Sequence, residues 1–129
     1  MKVADVVLDA SVVLAAVFKE PGYEALLELE ERPLVSTVNL AEVRARLSDR
    51  GLDRPAIDTA LGFVKMTAVD FTVDHATLSA DLRPTTRSAG LSLGDRACLA
   101  LAQKRGAIAL TADRAWAGID APVEVRVVR

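Results

Sequence analysis

The sequence predicts an α/β fold, a three-layer α/β/α sandwich with a short, mainly parallel sheet. Three observations predict it. Short apolar runs alternate with segments of helical spacing along the whole chain, the signature of strands joined by crossover helices. The first run, Val3–Leu8, is short and rich in valine, as in a strand covered on both faces. Aromatic residues are only 4%, so the core must be Ala, Leu and Val, which suits close packing of helices on a sheet.

Val3–Leu8 is the first predicted strand, and Asp9-Ala10-Ser11 leads into a short helix over Val12–Phe18. Pro21-Gly22 breaks that helix, and Tyr23, Leu26, Leu27 and Glu30 space out a second over Tyr23–Glu31, stopped by Pro33. Leu34–Ser36 is the next strand. Thr37 or Asn39 is expected to cap a helix running to about Arg50, with Gly51 ending it. Asp53 or Arg54 opens another helix, with Pro55 in its first turn and Ile57, Leu61 and Val64 as its apolar positions. Ala68–Phe71 is a third strand and Val73–Leu82 a helix, closed by Pro84; Thr85–Ala89 adds a further helical turn. Leu93–Arg105 is the clearest helix, with Gly106 after it. Ala107–Leu110 is a fourth strand, Thr111–Trp116 a turn becoming a short helix, and Val123–Val127 a last strand.

Composition narrows the function classes. The 129 residues fit a single domain, expected to bury roughly two-thirds of its unfolded surface. A hydrophobic fraction of 51% excludes disorder as the main state. The net charge of −2 excludes a strongly basic nucleic-acid module, although twelve of the sixteen basic residues are Arg, the side chain that pairs phosphate bidentately. One Cys and one His exclude an internal disulfide and a multi-histidine metal site. Any metal must then be held by carboxylates, which selects Mg²⁺ or Mn²⁺. The apolar run Ala10–Phe18 is far short of a membrane span, and Asp5 and Asp9 interrupt the stretch that would mimic a signal peptide. A cytoplasmic protein without a membrane partner is the expectation.

Ligands of open parallel sheets bind at the carboxyl ends of the strands. Asp9 directly follows the first strand, and Asp113 follows the fourth. Glu42 and Asp95 fall near the starts of two helices, although no strand directly precedes the helix of Asp95. Four carboxylates on one edge repel one another, and a divalent cation is the natural counter-charge. Such a cation activates water and offsets charge developing on a phosphate, which suits phosphodiester hydrolysis. Taken singly, each acid also has a plain structural role. Ser92-Leu93-Gly94-Asp95 resembles a capping box, Asn39 and Glu42 share the same offset, and Asp113 can cap its own turn. Asp9, flanked by Val6-Val7-Leu8 and Ala10, is the least explicable as a solvated charge.

These residues carry a resemblance. Val7-Leu8-Asp9-Ala10-Ser11, Ser36-Thr37-Val38-Asn39-Leu40-Ala41-Glu42-Val43, Leu91 to Ala100 around Asp95, and Leu110 to Trp116 around Asp113 resemble, in order and spacing, the four motifs of PIN-domain ribonucleases, in particular VapC toxins of type II toxin–antitoxin systems. The resemblance covers almost the whole chain. It implies an α/β/α sandwich and Mg²⁺- or Mn²⁺-dependent endoribonuclease activity on tRNA or rRNA, with Asp9, Glu42, Asp95 and Asp113 as the catalytic and metal-holding acids. It also implies a VapB-type antitoxin, a homodimer and a toxin–antitoxin hetero-oligomer, with DNA contacted only through the antitoxin.

Other residues are weighed beside these. Ser11 and Thr111 are hydroxyls placed to orient the acids or simply to cap. Arg96 and Arg114 each follow a site acid, and Arg44, Arg46, Arg83 and Arg87 lie near the same edge; each is a candidate for phosphate or a solvated surface charge. Trp116 and Cys98 read as core, and His75 as a solvated or capping residue. The helices Val12–Phe18 and Tyr23–Leu29 permit a groove for an antitoxin helix. Two rival readings remain: a non-catalytic protein whose acidic pocket clasps a partner's Arg, and a Mg²⁺-binding receiver-like domain. For the receiver, Asp70-Phe71-Thr72 offers no convincing acceptor loop; for a haloacid-dehalogenase phosphatase, position 11 lacks the second Asp.

Overall fold

The computed structural model describes residues 5–129, so Val3 and Ala4 of the expected first strand lie outside the described residues. Strands β1 (Val6–Leu8), β2 (Leu34–Ser36), β3 (Thr67–Val69), β4 (Ile108–Thr111) and β5 (Val125–Val127) form one sheet in the order β3-β2-β1-β4-β5. Every pairing is parallel. The helices are α1 (Ala10–Phe18), α2 (Glu24–Leu27), α3 (Thr37–Asp49), α4 (Arg54–Gly62), α5 (Val73–Asp81), α6 (Arg83–Thr86) and α7 (Leu93–Arg105), with a 3₁₀ turn at Arg114–Trp116. The strand order of a receiver-like domain places its first strand beside its third. Here β1 lies between β2 and β4, which overturns the receiver reading.

Side-chain alternation along the central strands builds two cores. Val7 of β1 and Ala109 of β4 point to one face, where they meet Cys98, Leu99 and Leu101 of α7, with Leu82 and Trp116. Leu8 and Leu110 point to the other, meeting Val12 and Val13 of α1, Val43 and Leu47 of α3, and Ile57 and Leu61 of α4. This is the three-layer sandwich. Trp116 is fully buried, as expected of core, and so is Cys98, whose thiol burial pushes well above its ordinary range.

Helix starts follow their capping chemistry. Ser36, rather than Thr37 or Asn39, caps α3 by accepting from Val38 N. Asp53 caps α4 through Ala56 N, with Pro55 in the first turn. Ser92 and Asp95 form a complete capping box on α7. The main departure is α2, expected over Tyr23–Glu31 but only four residues long. It has no side-chain cap and no fully buried residue, only Leu26 packing partly on the core, and a helix with so little packing does not extend. His75 is a second correction. It is buried on α5, edge-on to Phe71 at a centroid distance of 6.0 Å, rather than solvated or capping.

Candidate metal centre

The sheet order reverses direction between β1 and β4: chain order runs outward through β2 and β3 on one side, then resumes at β4 on the other. Crevices at such a reversal, beyond the strand carboxyl ends, are where open α/β sheets hold ligands. Asp9 follows β1 and Thr111 ends β4, so both stand at this point.

Asp9 is 3% exposed and fully engaged at one oxygen. Its Oδ1 accepts from Ser11 Oγ at 2.7 Å and from Val12 N at 3.0 Å, which makes Asp9 the N-cap of α1. Its Oδ2 accepts from Thr111 Oγ1 at 2.6 Å. A carboxylate oxygen has two lone pairs, so Oδ1 is saturated and Oδ2 has one site left. Ser11 Oγ in turn accepts from Ala112 N, and Thr111 Oγ1 from Asp113 N. The two hydroxyls therefore hydrogen-bond Asp9 and tie α1 to the segment after β4; neither caps a helix, since Asp9 caps α1 and Asp113 caps the 3₁₀ turn.

Burial drives the Asp9 pKa up from 3.8 to about 6. Hydrogen bonds from Thr111, Ser11 and Val12 oppose the rise, and the negative charge of Asp95 adds to it. Glu42 is also raised, first by desolvation and then by Asp95, against a hydrogen bond from Asn39 and the attraction of Arg46. Asp95 thus lies near enough to raise the pKa of both Asp9 and Glu42. Asp95 reaches them because α7 packs beside α3, not because a strand precedes it. Its Oδ2 accepts from Ser92 N in the capping box.

Asp113 stands apart. It is exposed, caps the 3₁₀ turn through Ala115 N, and connects to the centre only through Thr111. Of the arginines, Arg96 donates to Ser79 O at 2.9 Å and Arg44 pairs with Asp58, so both are engaged in helix packing. Arg114 is exposed. Sequence reasoning missed Arg50 and Arg129. With Arg46 they line a cavity of about 330 Å³ that also includes Ser11 and Phe18, and that carries Glu20 and Asp49 as well. The β5 end brings Arg129 there, a long-range consequence with no local signal. The Arg50 guanidinium lies 4.6 Å from the Phe18 ring centroid.

Among the described residues no three acidic, His or Cys side chains converge into a ready-made metal cluster. The donor chemistry nonetheless fits a hard divalent cation. The donor atoms these acids offer are carboxylate oxygens, and among the described residues none of the four acids has a salt-bridge partner. Mg²⁺ and Mn²⁺ sites retain waters, so the acids need not all touch the ion.

A second feature lies on the far side of α1. Val17, Tyr23, Leu26, Leu27, Phe63 and Val64 line a groove of about 810 Å³ between α1, α2 and α4. Leu27 and Phe63 are 74% and 83% exposed. No helix is long and apolar enough among the described residues to cross a membrane.

No curated protein sequence matches the chain. Solved structures do. The VapBC2 pair of Rickettsia felis bound to a DNA fragment from its promoter matches at TM-score 0.75, with 19% identity over 96% of this chain and 98% of that one. VapC20 of Mycobacterium tuberculosis, a sarcin–ricin loop cleaving toxin, matches at 0.69, with 16% identity over 90% and 97%. VapBC-5 of Mycobacterium tuberculosis, from the VapBC family of toxin–antitoxin systems, matches at 0.66, with 26% identity over 98% and 99%. The first two likenesses are of fold. The sequence profile of the PIN domain matches residues 6–122. A match running from the first strand nearly to the last places the chain in the PIN-domain family.

Proposed function

We propose that this chain is a divalent-metal-dependent endoribonuclease, the toxin of a type II toxin–antitoxin pair. The observation that carries the reading is Asp9: a buried carboxylate at the sheet reversal, feeling the charge of Asp95 and, among the described residues, unpaired with any cation. Asp9, Asp95 and Asp113 would hold the ion directly or through water, and Glu42 would complete its shell or orient the attacking water. A bound Mg²⁺ or Mn²⁺ supplies an activated water and offsets charge on the scissile phosphate. Ser11 and Thr111 keep Asp9 oriented, and Oδ2 would remain able to serve as a ligand. The groove between α1, α2 and α4 takes an apolar helix of a VapB-type antitoxin, which covers Leu27 and Phe63.

The test is cleavage of total cellular RNA by purified, antitoxin-free protein. Discrete fragments are expected with Mn²⁺ or Mg²⁺ and none with EDTA. Intact RNA after incubation with folded, metal-loaded protein sinks the enzyme reading in favour of a non-catalytic clasp.

The arginine-lined cavity beside Ser11 is the path of the RNA backbone. Arg46, Arg50 and Arg129 outnumber Glu20 and Asp49 there. In EDTA, where RNA binds without being cut, Arg50→Ala and Arg129→Ala are each expected to reduce the slope of log affinity against log salt by about one unit. Slopes equal to wild type place the RNA elsewhere.

A further inference from the structure

Glu42 differs from the other three acids. It caps nothing and lies in the second turn of α3, yet its carboxylate reaches the first turn of α7. Two residues account for that reach. Gly94 is buried at the second position of α7, and the Glu42 carboxyl group occupies the space that a Cβ at Gly94 would need. Any side chain there collides with both carboxylate oxygens. The clash is with the end of a flexible side chain, so Glu42 moves and the backbone does not.

Asn39 is the second. It is 1% exposed, one turn before Glu42. Its amide Nδ2 donates to Glu42 Oε1 at 3.0 Å and to Gly94 O at 2.9 Å. Both neighbours are acceptors, so the amide must face them with its NH₂ group and both of its donor hydrogens are used. Its Oδ1 is buried without a hydrogen-bond partner among the described residues. Leaving a buried acceptor unpaired is unfavourable, and a leucine of similar size would avoid it. The residue that does stand there holds one oxygen of Glu42 and leaves Oε2 without a hydrogen bond.

We propose that Asn39 and Gly94 are positioning residues of the nuclease centre: Gly94 vacates the seat of the Glu42 carboxylate beside Asp95, and Asn39 anchors Oε1 so that Oε2 faces the ion or its water. This rests on the nuclease reading above. The two residues also lock α3 to α7, so the spacing of the acids and the packing of the two helices are set by the same contacts.

The experiment combines Gly94→Ala, Asn39→Leu and Glu42→Gln, with Mn²⁺-induced melting shifts read beside RNA cleavage. Gly94→Ala is expected to melt without metal at or above the wild-type temperature, because alanine favours the helix. The Mn²⁺ concentration for half-maximal shift should rise about 10–100-fold, with a similar fall in kcat and an unchanged KM for RNA. Asn39→Leu should move both readouts in the same direction. In a Glu42→Gln background, Gly94→Ala should add almost nothing, since it acts through Glu42. Wild-type Mn²⁺ response and kcat in both single variants overturns the proposal, as does a Gly94→Ala effect that persists in full without the Glu42 carboxylate. If Glu42→Gln is damaging while the other two are silent, the positioning idea alone fails. If Glu42→Gln is itself silent, the assignment of Glu42 to the nuclease centre fails with it.

Discussion

Asp9→Asn is expected to abolish metal-dependent RNA cleavage and, in EDTA at pH 7.5, to melt higher than wild type. The loss of activity should be at least about 10²–10³-fold, the cost of removing one preorganised charged group from a site of this kind. The gain in stability follows from the same burial. An asparagine keeps an oxygen to accept from Ser11 and Val12, and its NH₂ can donate to Thr111 Oγ1, whose hydroxyl rotates to suit. What disappears is the penalty of holding an ionised carboxylate at 3% exposure. The shift from 3.8 to about 6 converts that penalty to roughly 3 kcal/mol at neutral pH. For a chain of this size the melting temperature should rise by roughly 10 °C. Paired activity and melting measurements check it. An Asp9→Asn protein that melts below wild type in EDTA shows that the native carboxylate is satisfied without metal, against the counter-charge argument.

The metal-free wild-type protein should lose stability as pH rises from about 4 to 7, and divalent metal should restore it. Asp9 has a folded pKa above its unfolded value, so the folded state binds more protons in this window. Its contribution is therefore complete below pH 4 and lost as pH climbs through about 6. Glu42, also raised, acts in the same direction. Other carboxylates have their own pH dependence, so the clean quantity is the wild-type melting temperature minus that of Asp9→Asn, measured at pH 5 and 7.5. The difference should widen by several degrees toward pH 7.5. Mn²⁺ binds the deprotonated acids of the folded state only, so the rise it produces should be larger at pH 7.5 than at pH 5. A metal-induced rise that is flat across this range removes Asp9 from the ligand set.

Several features were legible because they are local. The cap of α4 at Asp53, the capping box Ser92–Asp95 and the bounds of α7 depend on residues within a few positions of one another. The parallel sheet was legible because short valine-rich runs joined by helices admit little else. The acids near the strand ends followed from the same reasoning, and so did the burial of Trp116. The α2 segment departs from the expectation because its helical spacing is real but only Leu26 packs on the core, while Leu27 stands exposed over the groove. Nothing in a sequence window distinguishes leucines that pack from leucines that wait for a partner. His75 was misread for the converse reason: only the packing of α5 on α7 encloses it.

The sequence by itself determined which chemistry is available. With one Cys and one His, only carboxylates remain to hold a metal, and Asp9 is tied to the end of β1 by adjacency alone. Tertiary structure decided which acids share a field and what holds them. Thr111 reaches Asp9 across 102 positions of sequence, and Asn39 reaches Gly94 across 55. Those contacts arise because β1 pairs with β4 and α3 packs on α7, and such pairings are chosen by burial of two whole cores, a global property. Periodicity can locate an acid at the edge of a sheet. Only the packed fold desolvates it, sets its charge against its neighbours and gives it a fixed direction.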